Sequence, residues 1–375
     1  MRSWFTVRRA MFTVSCWLTV ATASVYSLAV PKNSSSSNIG DARSRATEDA
    51  LAHPKDLTRI YRERYGVSRV AANKYVQKLE AEGWLSRSGP GTRPVYSPGY
   101  RRLLVRTYQL AGLEEDIPWE FEFSPAFPLR PNVRLIAQHG FTEMVNNAID
   151  HSQGSEVSIL MTQDEANVTL QVSDNGIGIF RKIAAALELV DLRQALFELA
   201  KGKFTTDPSK HSGEGVFFTS RMFDGFVIEA NGLTYSHFQP ERDFLQEVGE
   251  TKTIGTRVIM RIGLESARTT AEVFQQFMDA PEDYGFTKTV VPMNLARYGD
   301  EGLVSRSQAR RLIARFDRFK TVMLDFAGVD AIGQAFADEL FRVYANEHPD
   351  VALAPLNMTD QVTQMWRRAI VAQRR

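Results

Sequence analysis

In FTEMVNNAIDHS (141–152), three polar side chains recur at every fourth residue: Glu143, Asn147 and His151. Phe141, Val145, Ala148 and Ile149 gather on an apolar face of the same helical repeat. A carboxylate can take a proton from water or a hydroxyl, and an amide oxygen can hold Mg²⁺. Three other stretches offer complementary chemistry. VSDNGIGIF (172–180) runs a strand into Asp174, whose carboxylate can accept from an exocyclic amine such as that of adenine. Gly176 and Gly178 beside it permit tight turns and close approach of a ligand. KHSGEGVFFTSRMFD (210–224) places Gly213 and Gly215 at a helix start, where unpaired N–H groups and the helix dipole favour phosphate. TIGTRVIMRI (253–262) opens a strand with Gly255 and Thr256. Singly these are weak signals, because Asp-Asn-Gly is more often a turn than a ligand site. Their order and spacing together point to a nucleotide between them.

The elements that would position these residues read as helix (132–151), strand (155–162), strand (167–173), Gly-rich turn (174–179) and helices (180–201). A polar loop (202–214), helix (215–224), strand (225–230) and strand (255–262) follow. This mixed order predicts an α/β sandwich, with helices on one face of a largely antiparallel sheet.

E-M-V-N-N-A, D-N-G-I-G, G-E-G-V-F and G-T-R-V, in this order, resemble the four motifs of the GHKL ATPase superfamily, the group of gyrase, heat-shock chaperones and histidine kinases. The N-N-A-I-D-H ending is similar to the anti-sigma-factor kinase branch. The resemblance covers about 130 residues and implies a Bergerat fold that binds ATP with Mg²⁺. Carried over, it makes Glu143 the general base, Asn147 the Mg²⁺ ligand and Asp174 the partner of adenine. Gly176 and Gly178 would shape the pocket, Gly213 and Gly215 would sit by the phosphates, and Thr256 would support Asp174. The loop 202–212, with Lys203, Lys210 and His211, would be a mobile lid, and His151 would contact a phosphate or serve structure alone. Whether such a domain is an ATPase, a protein kinase or a non-catalytic binder stays open. A standard sensor histidine kinase is disfavoured, since neither His53 nor His139 lies in a convincing acceptor motif.

Residues 55–106 carry twelve Lys/Arg against four Asp/Glu, whereas 107–375 carry 27 against 37. A basic module thus precedes an acidic body, which points to nucleic acid for the first part only. DLTRIYRERYG and VSRVAANKYVQKLEAEG read as two helices. Ser68 caps the second, whose apolar side takes Val70, Tyr75, Val76 and Leu79. WLSRSGPGTRPVYSP reads as a hairpin. This resembles the winged helix-turn-helix family, which implies that Arg69, Asn73, Lys74 and Lys78 face DNA, with Arg87 and Arg93 flanking the wing tip. A helix (100–112) and an acidic, Pro-rich connector (114–131) would follow.

The end of the chain alternates strand and helix: TKTVVPMNLA, SRSQARRLIARFDRF, TVMLDFAGV, GQAFADELFRVYANEHP, VALAPLNM and TDQVTQMWRRAI. LDFAGVDAIGQAFADEL (324–340) resembles the STAS-like fold of anti-sigma-factor antagonists, whose loop presents a phosphorylated Ser. The aligned residue is Ala335, which has no hydroxyl, so a switch there is in doubt. Gln334 and Phe336 could still serve an interface with a protein partner.

The expected architecture is therefore multidomain α+β. It runs as a leader and flexible linker (1–50), winged helix (51–106), connector (107–130), GHKL domain (131–264) and STAS-like domain (265–375). Residues 10–30 are uncharged, follow Arg8 and Arg9, and owe much of their bulk to Thr and Ser. They read as a misplaced translation start or a disordered leader, with a membrane or export segment as the alternative, and the expected location is the cytoplasm, where ATP and DNA are found. One cysteine, Cys16, excludes internal disulfides. The function expected is an ATP-dependent regulatory switch acting on DNA or a partner. The alternatives are a Ser/Thr protein kinase and an ATP-bound scaffold, and a homodimer is compatible with each.

Overall fold

The computed structural model describes residues 34–204, 213–239, 242–247, 254–278, 286–296 and 302–373. The apolar run 10–30, Lys210 and His211 lie outside the described residues. Two compact units divide the chain: Met1–Leu104 with Met161–Glu165, and Val105–Leu160 with Ala166–Arg375.

The first unit holds helices α1 (Ser34–Ala52), α2 (Leu57–Tyr65) and α3 (Arg69–Ala81), then strands β1 (Leu85–Ser88) and β2 (Val95–Pro98). The strands form an antiparallel hairpin in the register Leu85↔Pro98 to Ser88↔Val95. α1 occupies much of the stretch 31–44 expected to be a linker. Ile39, Ala42, Ala46 and Ala50 fall at helical spacing and bury against a core containing Tyr61, Val76 and Leu79. A stripe of alanines packs closely while carrying little hydropathy, which is why its sequence reads as a linker. Ion pairs fix the helix: Arg64 donates through both terminal nitrogens to buried Asp49, and Arg43 donates through Nε and Nη2 to Glu82. Ser68 caps α3 by accepting from Ala71 N (3.2 Å), as its position predicts. Val70, however, is 67% exposed. The buried face runs through Ala72, Val76 and Leu79, and Val70 lies two residues before Ala72, roughly half a turn away.

The second unit is built on a seven-stranded sheet. Its strands are β3 (Arg102–Gln109), β4 (Glu156–Gln163), β5 (Asn167–Asp174), β6 (Gly225–Ala230), β7 (Leu233–Phe238), β8 (Arg242–Glu247) and β9 (Thr256–Gly263). Their spatial order is β3-β4-β5-β9-β6-β7-β8. β5 pairs antiparallel with β9, β9 with β6, β6 with β7, and β7 with β8. The stretch expected as a helix over 100–112 is the edge strand β3. From Val105 its exposure alternates, and Val105, Thr107 and Tyr108 are types that suit a pleated, half-covered edge. β7 and β8 extend the sheet beyond the expected strands.

Helix α4 (Pro131–His151) packs on β5 and β9. The expected connector contributes to this packing. Residues 116–126 are helical, and Trp119 and Phe123 bury their rings against Phe141 at centroid distances of 5.3 and 5.2 Å. On the same helix His139 is largely buried, its Nε2 has no hydrogen-bond partner, and its ring meets Phe274 edge-on at 6.0 Å. Burial pushes its pKa from 6.5 down to about 4. The folded protein thus keeps His139 neutral where the unfolded chain takes a proton, so its share of stability is complete above pH 6.5 and lost as pH falls toward 4. This one group should cost about 2 kcal/mol between pH 7 and pH 5. Denaturant unfolding at both pH values checks this, and His139→Leu should lose correspondingly less stability over that range.

Helices α5 (Ile179–Ala186), α6 (Leu192–Lys201) and α7 (Gly215–Met222) complete the layer over the sheet. α8 (Thr270–Gln276), unforeseen in the sequence, starts with a Thr269–Glu272 capping box and packs on α7 and α4. The chain then forms a small parallel sheet, β10 (Lys288–Pro292), β11 (Thr321–Asp325) and β12 (Ala352–Leu356), in that spatial order. Its helices are α9 (Arg306–Ile313), α10 (Gln334–Asp338, continued helically to Glu347) and α11 (Asp360–Gln373). Ser305 caps α9 by accepting from Gln308 N, and Gln308 closes the capping box. Among the described residues, no helix is long and apolar enough to cross a membrane.

Candidate functional site

A cavity of about 290 Å³ opens between α4, α5, α6 and the sheet, near the lower end of the size range for ligand pockets. Glu143, Asn147, His151, Asp174, Gly213, Gly215 and Thr256 all line it. These come from the end of one helix, two strand ends and the entry to another helix, and only the fold brings them together. Gly176 and Gly178 flank the cavity on the turn between β5 and α5.

Asp174 is the best-defined group. Gly176 N and Thr256 N both donate to its Oδ1, at 2.8 and 3.2 Å. Both of these backbone bonds fall on one oxygen of the carboxylate. Burial raises the pKa of this carboxyl, and the bonds from Gly176 and Thr256 oppose the rise. Thr256 also accepts from Ile179 N through its hydroxyl (3.0 Å), tying β9 to the start of α5. The turn carrying Asp174 is pinned to the end of α4, where Ile177 N donates to Ser152 O (2.9 Å). Asn175 Oδ1 accepts from Ser155 N and Glu156 N, at 2.8 and 3.1 Å. Gly176 passes so close to the Ser152 carbonyl that a Cβ there would overlap it. A glycine is required at that point by space alone.

Glu143 lies at the other end. Its Oε2 sits against the Cα of Gly215, the first residue of α7, where a Cβ would overlap the carboxylate. The site therefore combines a carboxylate with the N-terminal N–H groups of a helix, which suits a phosphate and a group to be deprotonated beside it. Asn147 faces the cavity one turn on, and its amide nitrogen makes a long 4.0 Å contact with Met144 Sδ. Among the described residues, no group of three or more His, Cys, Asp or Glu could hold a metal ion. A Mg²⁺ at Asn147 would therefore complete its octahedron with phosphate oxygens and water, which is its usual habit.

Lys203 is placed elsewhere. Its ammonium donates to Arg318 O (2.9 Å) and lies over the Phe286 and Phe319 rings, at 5.6 and 5.0 Å. Sequence reasoning missed Lys182, which lines the cavity and donates to His151 O (2.8 Å), with burial lowering its pKa. Its signal was faint: one Lys between Ile179 and Ile183, which share a helix face with it. The apolar walls, including Met144, Leu199, Phe204 and Ile228, were also missed, because they come from four separate elements. At the far end of the chain, Gln334 and Ala335 are exposed at the start of α10, but Phe336 is fully buried. Phe336 therefore belongs to the core and offers nothing to an interface. Arg69, Asn73, Lys74, Lys78, Arg87 and Arg93 are all exposed on the first unit.

No curated protein matches the chain. Two family models match parts of it. Residues 308–363 match a STAS-like domain of unknown function. Residues 132–266, which contain every residue lining the cavity, match the histidine kinase-, DNA gyrase B- and HSP90-like ATPase. The chain thus carries a GHKL ATPase domain, which supports ATP binding, followed by a STAS-like domain.

Proposed function

We propose that the protein is an ATP-dependent regulatory switch. Mg·ATP bound in the GHKL domain would control whether the N-terminal module engages DNA and whether the STAS-like domain engages a partner. The observation that carries the nucleotide part is Asp174, which lines the cavity and whose Oδ1 is held by two backbone N–H groups. That arrangement suits an adenine amine and rejects a guanine, which presents a carbonyl at the same place. Gly213 and Gly215 would receive the phosphates at the entry to α7, Asn147 would hold Mg²⁺, and Lys182 would add positive charge. The metal would neutralise and orient the phosphates. Glu143 would orient or deprotonate the attacking group, a water in an ATPase.

The DNA part rests on three helices followed by a hairpin, an arrangement that resembles a winged helix. Arg69, Lys74 and Lys78 lie exposed on α3, and Arg87 and Arg93 near the hairpin turn. Neutralising phosphates with such cations releases counterions, so affinity should fall steeply with salt. The position of Glu143 also allows the protein-kinase reading, in which the deprotonated group is a partner's Ser or Thr hydroxyl. These functions place the protein where ATP and DNA occur, in the cytoplasm.

Titrating DNA containing the protein's own promoter against the full chain tests the switch. Wild-type affinity should change at least fivefold on adding Mg·ATP, and Asn147→Ala should abolish that change while keeping the nucleotide-free affinity. Alanine at Arg69, Lys74 or Lys78 should each lower affinity and reduce the salt slope by about 1. Identical wild-type affinity with and without Mg·ATP would sink the switch.

A further inference from the structure

The wall of the cavity that carries Leu199 and Phe204 is held from outside the ATPase domain. The segment 198–204 ends α6 and leads to the mouth of the cavity, and it is bonded on both sides to the C-terminal domain. Thr289 on β10 donates through its hydroxyl to Lys201 O (2.7 Å), in a fully buried bond. Arg315, just after α9, reaches back with its fork: Nη1 donates to Glu198 Oε2 (3.0 Å) and Nη2 to Lys203 O (2.6 Å). Arg318 Nη1 also donates to Lys203 O (2.9 Å). In return, Lys201 donates to Ala314 O and Lys203 to Arg318 O, both at 2.9 Å. The Arg315 guanidinium lies 5.2 Å from the centre of the Phe204 ring. Phe204 faces the cavity, and its backbone packs against Gly213, at the end of the site suited to phosphate.

Arg315 itself adopts a left-handed backbone (φ 67°), which is uncommon for a residue with a side chain. Helix α9 ends at the extended Ala314, and Arg315 follows it with its side chain bonded to Glu198 of α6. Its guanidinium bridges a carboxylate and a main-chain carbonyl that lie 117 and 112 positions away from it in sequence.

We infer that Arg315 is a positioning residue for the nucleotide site. Acting from the C-terminal domain, it fixes the segment that sets Leu199 and Phe204 into the cavity wall. Nucleotide affinity then depends on docking of the C-terminal domain, and by linkage a bound nucleotide tightens that docking by the same factor. This rests on the reading of the cavity as an ATP site, and it identifies which contact carries the state of that site to the STAS-like domain. Two bonds from a charged donor to a partly buried segment are strong enough for the effect to be measurable.

The test uses the full chain and a non-hydrolysable ATP analogue with Mg²⁺. Calorimetric titration should give a dissociation constant about tenfold higher for Arg315→Ala than for wild type. Thr289→Val, which removes one bond at nearly constant volume, should raise it about threefold. Hydrogen exchange supplies a readout that a merely structural role would not move. In wild type the analogue should slow exchange in 286–296 and 306–320, and in Arg315→Ala that response should vanish although the nucleotide-free protein melts cooperatively. If Arg315→Ala does not fold, Thr289→Val decides by the same two readouts. Wild-type affinity and an unaltered exchange response in a folded variant would overturn the inference while leaving the ATP site intact. Absence of any binding by wild type would overturn both.

Discussion

Asp174→Asn should weaken ATP binding by at least about 100-fold while leaving the fold intact. The substitution is isosteric, and the amide oxygen can still accept from Gly176 N and Thr256 N as Oδ1 does now. What changes is the second position, where an NH₂ donor replaces an oxygen acceptor. An adenine amine would then meet a donor in place of an acceptor, with both groups removed from water. Mismatched buried polar groups of this kind discriminate by several powers of ten. Turning the amide round would restore the acceptor to the ligand only by facing NH₂ toward two backbone N–H groups. Calorimetric titration with ATP checks the loss, and circular dichroism with thermal melting checks that the fold survives. Binding should also weaken in acid, because the raised pKa of Asp174 brings its protonation closer to neutral pH.

Glu198→Gln should destabilise the second unit by about 3 kcal/mol or more. Glu198 is buried between two cations: Lys201, which is 1% exposed, and Arg315. Removing its charge leaves both cations without a counterion in the interior, the circumstance in which breaking a buried pair costs about 3–5 kcal/mol. Glu198→Gln with Lys201→Met should recover much of the loss, because one of the stranded charges goes too, and the double-mutant cycle measures their coupling. Burial already pushes the Lys201 pKa down to about 8, against the opposing effect of Glu198. The unfolded chain holds this proton up to about pH 10.5 and the folded protein releases it near 8, so the cost of burying the charge diminishes as pH rises between the two. Denaturant unfolding of both variants at pH 7 and pH 9 should show the single variant regaining stability at the higher pH.

Much of the site was legible because its residues are local in the sequence. Glu143 and Asn147 are one turn apart on a helix, and Asp174 ends a strand of clear alternation. Gly213 and Gly215 stand at a helix entry that the apolar spacing marks. Space restricts Gly176 and Gly215 to glycine, and short motifs record such restrictions faithfully. The rest was obscured for identifiable reasons. α1 buries a stripe of small residues with little hydropathy, so its first half read as linker. β3 has one alternating half and one doubly buried half, which gives no single period and passed for a helix. The stretch 116–126 intersperses prolines and acids with its aromatic residues, and these hid Trp119 and Phe123. Lys203 was assigned to a lid from its place beside the phosphate motif, but its partner is Arg318, 115 positions away. The tie between Arg315, Glu198 and Lys203 O has the same character. Side chains meeting across domains leave no spacing signal, and only the fold reveals them.

Both the switch and the coupling through Arg315 require that the cavity beside Asp174 takes ATP with Mg²⁺. Equilibrium titration of the full wild-type chain with ATP and with GTP, each with and without Mg²⁺, tests it most directly. ATP should bind saturably at one site per chain, more strongly with Mg²⁺ and at least about tenfold tighter than GTP. No saturable binding of ATP, or equal affinity for ATP and GTP, would contradict it.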